Sequence, residues 1–220
     1  MDSSSERGHF RTQREEMVRK QLAERGISDL RVLDAMSSVP RQEFIPEALR
    51  NDAYGDHPLP IGEGQTISQP YIVAAMLEHL ELRATDRMLE VGTGSGYVTA
   101  LLSLLSAEVY SVERHARLAA SAQAVLDRLD YRNAEIRVGD GVLGWAECAP
   151  FAAILVSAAT GEMPPTLFAQ LCEGGRMVVP VGPPFSQDLQ LIRKVKGQAE
   201  VRILEGCRFV PLVDGTVDSG

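Results

Sequence analysis

The chain has few cysteines and no close pair of them. Cys148, Cys172 and Cys207 are widely spaced, so neither a CxxC half of a zinc site nor a disulfide framework can be drawn from them. They read as three free thiols that pack as small hydrophobes in a reducing compartment. Long apolar runs are also missing. No stretch reaches the roughly 18 residues of a spanning helix, and no membrane partner is expected. The opening residues, MDSSSERGHFRTQREE, are polar and lack the apolar centre of a secretory leader. A cytoplasmic protein is expected. Basic residues are outnumbered, 22 Lys and Arg against 30 Asp and Glu, for a net charge of −8. Such a field repels phosphate backbones, which excludes nucleic acid as the expected partner. There is no internal repeat. What is present is globular: 45% apolar and 24% charged residues, far from disordered or fibrous compositions. Its 220 residues suit one domain with a short extension. A chain of this size buries roughly 70% of its unfolded surface, enough to fold without a disulfide or metal.

The first residues, 1–8, read as a disordered tail, and 9–220 as a single unit. Within it, 9–84 form N-terminal helices and a loop, 85–181 a core, and 182–220 C-terminal strands. Helical spacing around Met17 and Leu22 ends at Gly26. A second helix is expected over Asp29 to Ser38, and a turn or two over Gln42 to Leu49. Residues 51–69 are rich in Gly, Pro and polar groups and predict a loop long enough to be functional. Pro70 then suits the first turn of a helix, with Ser68 or Gln69 near its cap.

From Met88 the pattern alternates. Strands are predicted at Met88–Val91, Glu108–Val112, Glu135–Val138, Phe151–Val156 and Met177–Val181. Helices are predicted at Tyr97–Leu105, Arg114–Leu129 and Pro164–Cys172, the last stopped by Gly174-Gly175. This predicts an α/β fold with a doubly wound, mostly parallel sheet. Asp188–Lys196 and Glu200–Val210 would add an antiparallel pair at one edge.

Open parallel sheets bind ligands beyond the carboxyl ends of their strands. There the first strand runs into Gly92-Thr93-Gly94-Ser95-Gly96, glycines that let the backbone approach a ligand, with free N–H groups of a helix behind them. Glu90 would put a carboxylate beside a cationic ligand group. Glu113, at the end of the second strand, suits the two hydroxyls of a ribose. That much fits NAD or S-adenosylmethionine. The NAD fingerprint GxGxxG would need a third glycine where Tyr97 stands, and the third strand ends in Gly139-Asp140-Gly141. There Asp140 can accept from an adenine amino group and Gly141 leaves room for the ring. The set favours S-adenosylmethionine. Trp145 is expected to pack in the core, His57 to hydrogen-bond within its loop, and His79 and His115 to lie on helix surfaces.

These segments resemble the protein-L-isoaspartate O-methyltransferases. The resemblance is carried by VPRQEFIP at Val39–Pro46, DHPLPIGEGQTISQPYIVA at Asp56–Ala74, and MLEVGTGSGYVTALL from Met88. YSVER from Tyr110, GDG at Gly139, LCEGGRMVVPVG from Leu171 and FVPLV at Phe209 complete it. GQTISQP and FVPLV are the specific ones, since many methyltransferases share the glycine segment. The resemblance implies an S-adenosylmethionine-dependent, Rossmann-like methyltransferase fold and a protein-repair activity without metal. A methyl group goes to the free α-carboxylate of L-isoaspartyl residues, leaving S-adenosylhomocysteine. The ester then closes to a succinimide whose hydrolysis returns some normal aspartate.

It also implies a site. Ser68 would be the active-site residue and orient the substrate carboxylate, with Thr66 and Ile67 beside cofactor and substrate. Cofactor contacts would extend over Glu90, Gly92 to Gly96, Glu113, Arg114, Asp140 and Gly141. Val210, Pro211 and Leu212 would line the pocket for isoaspartyl proteins and peptides, with backbone groups of Val210 and Leu212 binding an extended chain. A monomer is favoured. The chain departs from the family at Ala152, where an Asp is usual, in Val142-Leu143-Gly144-Trp145, and at Val213, where some relatives carry Thr. The weighed alternatives are a methyltransferase for another carboxylate or small molecule, a cofactor-binding adaptor, and an NAD-dependent oxidoreductase.

Overall fold

The computed structural model describes residues 3–215. Helix α1 runs Ser3–Met17, so the helix starts well inside the segment expected to be a loose tail, whose first two residues lie outside the described ones. The helix continues through a wider turn at Val18–Leu22 and a tight one at Ala23–Arg25. It ends at Gly26, whose φ of 104° is the left-handed cap that glycine adopts without strain. Helix α2 (Leu30–Ser38) starts where the Asp29 side chain accepts from the Arg31 N–H. Two short 3₁₀ turns, Arg41–Phe44 and Glu47–Asp52, follow.

The segment expected to be all loop contains a hairpin, β1 (Leu59–Gly62) against β2 (Gln65–Ile67). Its strands are too short to show an alternation in the sequence. Helix α3 (Pro70–Leu80) begins at Pro70 as expected.

The alternating core is then β3 (Arg87–Val91), α4 (Tyr97–Leu105), β4 (Glu108–Glu113), α5 (Ala116–Arg128), β5 (Ala134–Val138) and β6 (Phe151–Val156). It closes with α6 (Pro165–Ala169), β7 (Leu171–Val181), β8 (Gln187–Val195) and β9 (Gln198–Cys207). The seven long strands form one sheet in the order β5-β4-β3-β6-β7-β8-β9, with β8 and β9 antiparallel and the rest parallel. The expected α/β fold with antiparallel strands at one edge is borne out.

Helix α6 is shorter than expected. It ends at Ala169, and Gly174-Gly175 lie inside β7 instead of stopping a helix. There the pairing with β6 skips from Leu171 to Arg176. A Cβ on Gly175 would meet the Cys172 carbonyl at 2.8 Å, so glycine is needed for the irregularity itself.

Both faces of the sheet are dry at its centre. Along β6, Ala153 and Leu155 pack into one cluster with α3 and α4, while Ile154 and Val156 pack into a second with Trp145 and Leu167. Successive side chains of a strand point to opposite faces, so an unbroken FAAILV run is what a strand covered on both sides needs. The first cluster also takes in Phe10, Met17, Val32 and Met36, and thereby seats the N-terminal helices on the sheet. Trp145 is buried against Tyr110 at 5.5 Å between ring centroids, the expected core role. No described helix is long and apolar enough to cross a membrane.

Candidate functional site

The winding reverses between β3 and β6. The chain leaves β3 for β4 and β5, then returns to lay β6 on the other side of β3. In such sheets the crevice beyond the carboxyl ends at this point is the ligand site. A cavity of about 240 Å³ opens there, lined by Gly92, Thr93, Gly94 and Ser95 after β3, Glu113 and Arg114 after β4, and Gly141 after β5. The β1–β2 hairpin covers it. A Cβ on Gly94 would come within 3.3 Å of Ile61, and Thr66, Ile67 and Ser68 form part of the wall.

Glu113 does two things. It lines the cavity, and its carboxylate accepts from the backbone N–H of Gly94 at 2.8 Å and of His115 at 3.0 Å. Gly94 sits at φ 55°, so the loop turns its amide toward this acid. Gly141 matters for space: a Cβ there would meet Val91 at 2.6 Å and Leu212 at 3.3 Å. A bare backbone thus forms this part of the wall between two apolar side chains.

Three expected contacts are not placed at the cavity. Glu90 is fully buried and points to the α4 face of the sheet. Its Oε2 accepts from Thr99 at 2.6 Å and Ser111 at 2.7 Å, while Oε1 has no partner among the described residues. Strand alternation decides this: the ligand crevice lies past Val91, and one residue earlier the side chain faces a helix. Burial pushes the Glu90 carboxyl up to about 8, against the two hydroxyl bonds that pull it down. Since Ser111 donates to Glu90, Thr93 donates to Ser111 at 2.5 Å, and the acid supports the glycine loop from beneath.

Asp140 is the second. Its Oδ1 accepts from Val142 N–H at 2.9 Å and its Oδ2 from Gly215 N–H at 2.8 Å, so it caps one turn and tethers the C-terminal segment. Gly96 is the third: it starts α4, and a Cβ there would press on Ala122 at 3.1 Å. The departure at Ala152 falls at the amino end of β6, away from the cavity, where its carbonyl accepts from Arg176. Val213, by contrast, does line the cavity.

A groove of about 970 Å³ adjoins the cavity. Thr66, Ser68, Ser157, Val210, Pro211 and Leu212 line both. Ser68 lies just outside α3, whose N-cap is Gln69, and the Ser68 carbonyl accepts from Arg41 Nη2 at 2.8 Å. The FVPLV segment is not part of β9. It runs across the strand ends, with Ala159 N–H donating to Val210 and Leu212 N–H donating to Ala159, both at 2.8 Å. Among the described residues this uses the Val210 carbonyl and the Leu212 N–H, and leaves the Val210 N–H and Leu212 carbonyl.

Ser157 has no motif that marks it in the sequence, and His115 reads there as a helix-surface residue. Ser157 follows β6 directly, and its N–H donates to Val91 at 2.8 Å. Its signal was position alone, the residue after the strand beside the switch point. His115 holds the N-cap position of α5 without a side-chain cap bond and lines the cavity, and its Nε2 is buried without a partner among the described residues. Its position two residues after Glu113 was the clue. No group of three or more His, Cys, Asp and Glu among the described residues could hold a metal.

A family model for protein-L-isoaspartate(D-aspartate) O-methyltransferase matches residues 12–217. The chain is 52% identical over 213 residues to a protein-L-isoaspartate O-methyltransferase of Koribacter versatilis, covering 97% of this chain and 96% of that protein. It is 54% identical over 203 residues to one from Methanoculleus marisnigri, covering 92% of each. Among solved structures, a Plasmodium falciparum beta-aspartate methyltransferase in complex with S-adenosyl-L-homocysteine superposes with a TM-score of 0.80 at 29% identity. The match covers 91% of this chain and 98% of that one. A second protein-L-isoaspartate O-methyltransferase structure gives 0.80 at 31% identity, covering 90% of this chain and 65% of that one.

Proposed function

The chain belongs to the protein-L-isoaspartate(D-aspartate) O-methyltransferase family, and we propose how its own residues divide the work of that enzyme. It is an S-adenosyl-L-methionine-dependent methyltransferase of protein repair. The cavity fits the cofactor in its chemistry: backbone glycines, an acid at the end of β4, and a glycine floor between Val91 and Leu212. When bound, S-adenosyl-L-methionine supplies a methyl group carried on a sulfonium.

In this reading Glu113 accepts from the ribose hydroxyls while it braces the loop through Gly94. Gly141 and the apolar side chains of Val91 and Val112 take the flat base, and Thr93, Ser95 and Arg114 complete the wall. Thr66 and Ile67 stand where cavity and groove meet. The Ser68 hydroxyl donates to one oxygen of the isoaspartyl α-carboxylate and sets its direction. No general base is needed, because a carboxylate is already ionised at neutral pH. Orientation of the nucleophile is then the main contribution of the protein. The Val210 N–H and Leu212 carbonyl bind the backbone of an extended isoaspartyl peptide beside Pro211, so the sequence around the damaged residue is tolerated. The same reading takes 9–220 as one cytoplasmic unit that acts as a monomer.

The observation that carries this assignment is that Ser68 lines both the cavity and the groove. Ser68→Ala is expected to lower kcat about 10- to 100-fold, the worth of a hydrogen bond to a charged group. The Kd for S-adenosylhomocysteine, by titration calorimetry, should stay within about threefold. Unchanged turnover, or a loss of cofactor affinity equal to the loss of turnover, would overturn it.

A further inference from the structure

Arg41 heads the fully buried side chains of the molecule, at 0% exposure. Buried guanidinium groups are ordinarily matched by carboxylates. Arg176 follows that rule, with Asp86 at 2.7 Å. Arg41 does not. Its Nε donates to the Ala53 carbonyl and its Nη2 to the Ser68 carbonyl, each at 2.8 Å, and its Nη1 is buried with no hydrogen-bond partner among the described residues. Its guanidinium carbon stands 4.9 Å from the centre of the Tyr97 ring, a residue that lines the cavity. No Asp or Glu among the described residues forms an ion pair with it. Burial pulls its pKa down, with the phenol groups of Tyr97 and Tyr54 opposing that pull. A guanidinium nonetheless keeps its proton in a protein.

An unmatched buried cation is costly, and it is kept in a chain of net charge −8 immediately behind the residue that meets the substrate. Arg41 lines neither the cavity nor the groove, so it acts through its neighbour. We propose that Arg41 is the positioning residue for the substrate carboxylate: its bond to the Ser68 carbonyl fixes the Ser68 hydroxyl, and its uncompensated charge makes this one spot attractive to an anion. The inference rests on the assignment of Ser68 to the substrate carboxylate. As a general scale, a unit charge roughly 8–10 Å from an anion, at an effective dielectric of about 20, favours that anion roughly 15- to 30-fold.

The test uses the enzyme saturated with S-adenosylhomocysteine, which lacks the sulfonium charge. Calorimetry compares an isoaspartyl peptide with the same peptide carrying an α-amide. In the wild type the acid should bind at least about tenfold more tightly than the amide. Parity, or tighter binding of the amide, overturns the proposal without any variant. In Arg41→Met and Arg41→Gln the preference should fall to within about threefold of unity, with cofactor affinity held within about threefold. In Arg41→Lys the preference should persist while kcat drops, because the charge stays and the fork is lost. A neutral variant that folds and keeps the wild-type preference shows a merely structural arginine and overturns the proposal. Ser68→Ala separates the two claims. Unchanged turnover and preference there sink the Ser68 assignment, whereas an impaired Ser68→Ala beside an unaltered Arg41→Met sinks Arg41 alone.

Discussion

The Glu113 carboxylate, at the end of β4, accepts from the backbone N–H of Gly94, in the loop after β3, at 2.8 Å. One acid thus lines the cavity and fixes the loop opposite. Glu113→Ala removes both actions and is expected to weaken S-adenosylhomocysteine about 100-fold. Glu113→Gln keeps an acceptor for only one of the two backbone amides, Gly94 and His115, and should cost about tenfold. Calorimetric Kd values decide it. Wild-type affinity in Glu113→Ala would remove Glu113 from the cofactor site.

Gly94 has φ 55° and faces Ile61 of the hairpin. A β-branched residue is strained in that conformation. Gly94→Val should therefore raise the Kd for S-adenosylhomocysteine more than about 100-fold while far-ultraviolet circular dichroism stays native. Tight binding by a folded Gly94→Val would contradict a backbone cradle.

Glu90 makes stability depend on pH. Its carboxyl is raised to about 8 in the fold, against about 4.3 in an unfolded chain. Between those values the native state holds a proton that the unfolded state has released, so the Glu90 contribution to stability is fully present below about pH 4.3 and is lost as pH rises toward 8. The slope approaches about 1.4 kcal/mol per pH unit. Glu90→Gln has no such proton. Urea unfolding of both proteins from pH 5 to 9 should show the wild type losing ground to Glu90→Gln as pH rises. Parallel curves would mean that Glu90 is ionised in the fold.

Arg176 ties the end of α3 to the sheet. It donates to the carbonyls of Leu80, Glu81 and Ala152 and pairs with Asp86, both side chains being 9% exposed. Asp86→Ala leaves the guanidinium buried without its counter-ion and should lower stability by about 3–5 kcal/mol. Denaturant unfolding at pH 7 checks it. A loss under about 1 kcal/mol would place this pair with weak surface bridges.

Most of the fold was legible because the centre of the sheet is covered on both faces. FAAILV and MLEV can be little else than central strands, and Pro70 and Gly26 punctuate helices in a single way. The hairpin at Leu59–Ile67 was hidden by strands of four and three residues. Helix α6 was drawn too long because Gly174-Gly175, a stop signal by composition, serves as an irregularity inside β7. In the site, Gly92 to Ser95, Glu113, Gly141, Ser68 and Val210–Leu212 all line the cavity at the switch point. Glu90, Asp140 and Gly96 do not, because spacing gives the residue but not the direction in which it faces. Arg41 was invisible as a functional candidate: its environment is made by Ala53, Ser68 and Tyr97, distant in sequence and joined only by folding.

Methyl transfer itself is the most direct test of the whole account. The protein is given S-adenosyl-L-methionine labelled in its methyl group and two peptides that differ only in one isoaspartyl or aspartyl linkage. The groove at Ser68 and the segment Val210–Leu212 should present only the isoaspartyl α-carboxylate for transfer. Label is therefore expected as a base-labile ester on the isoaspartyl peptide and at background on its aspartyl twin. Equal labelling of the two, or labelling of neither, would contradict it.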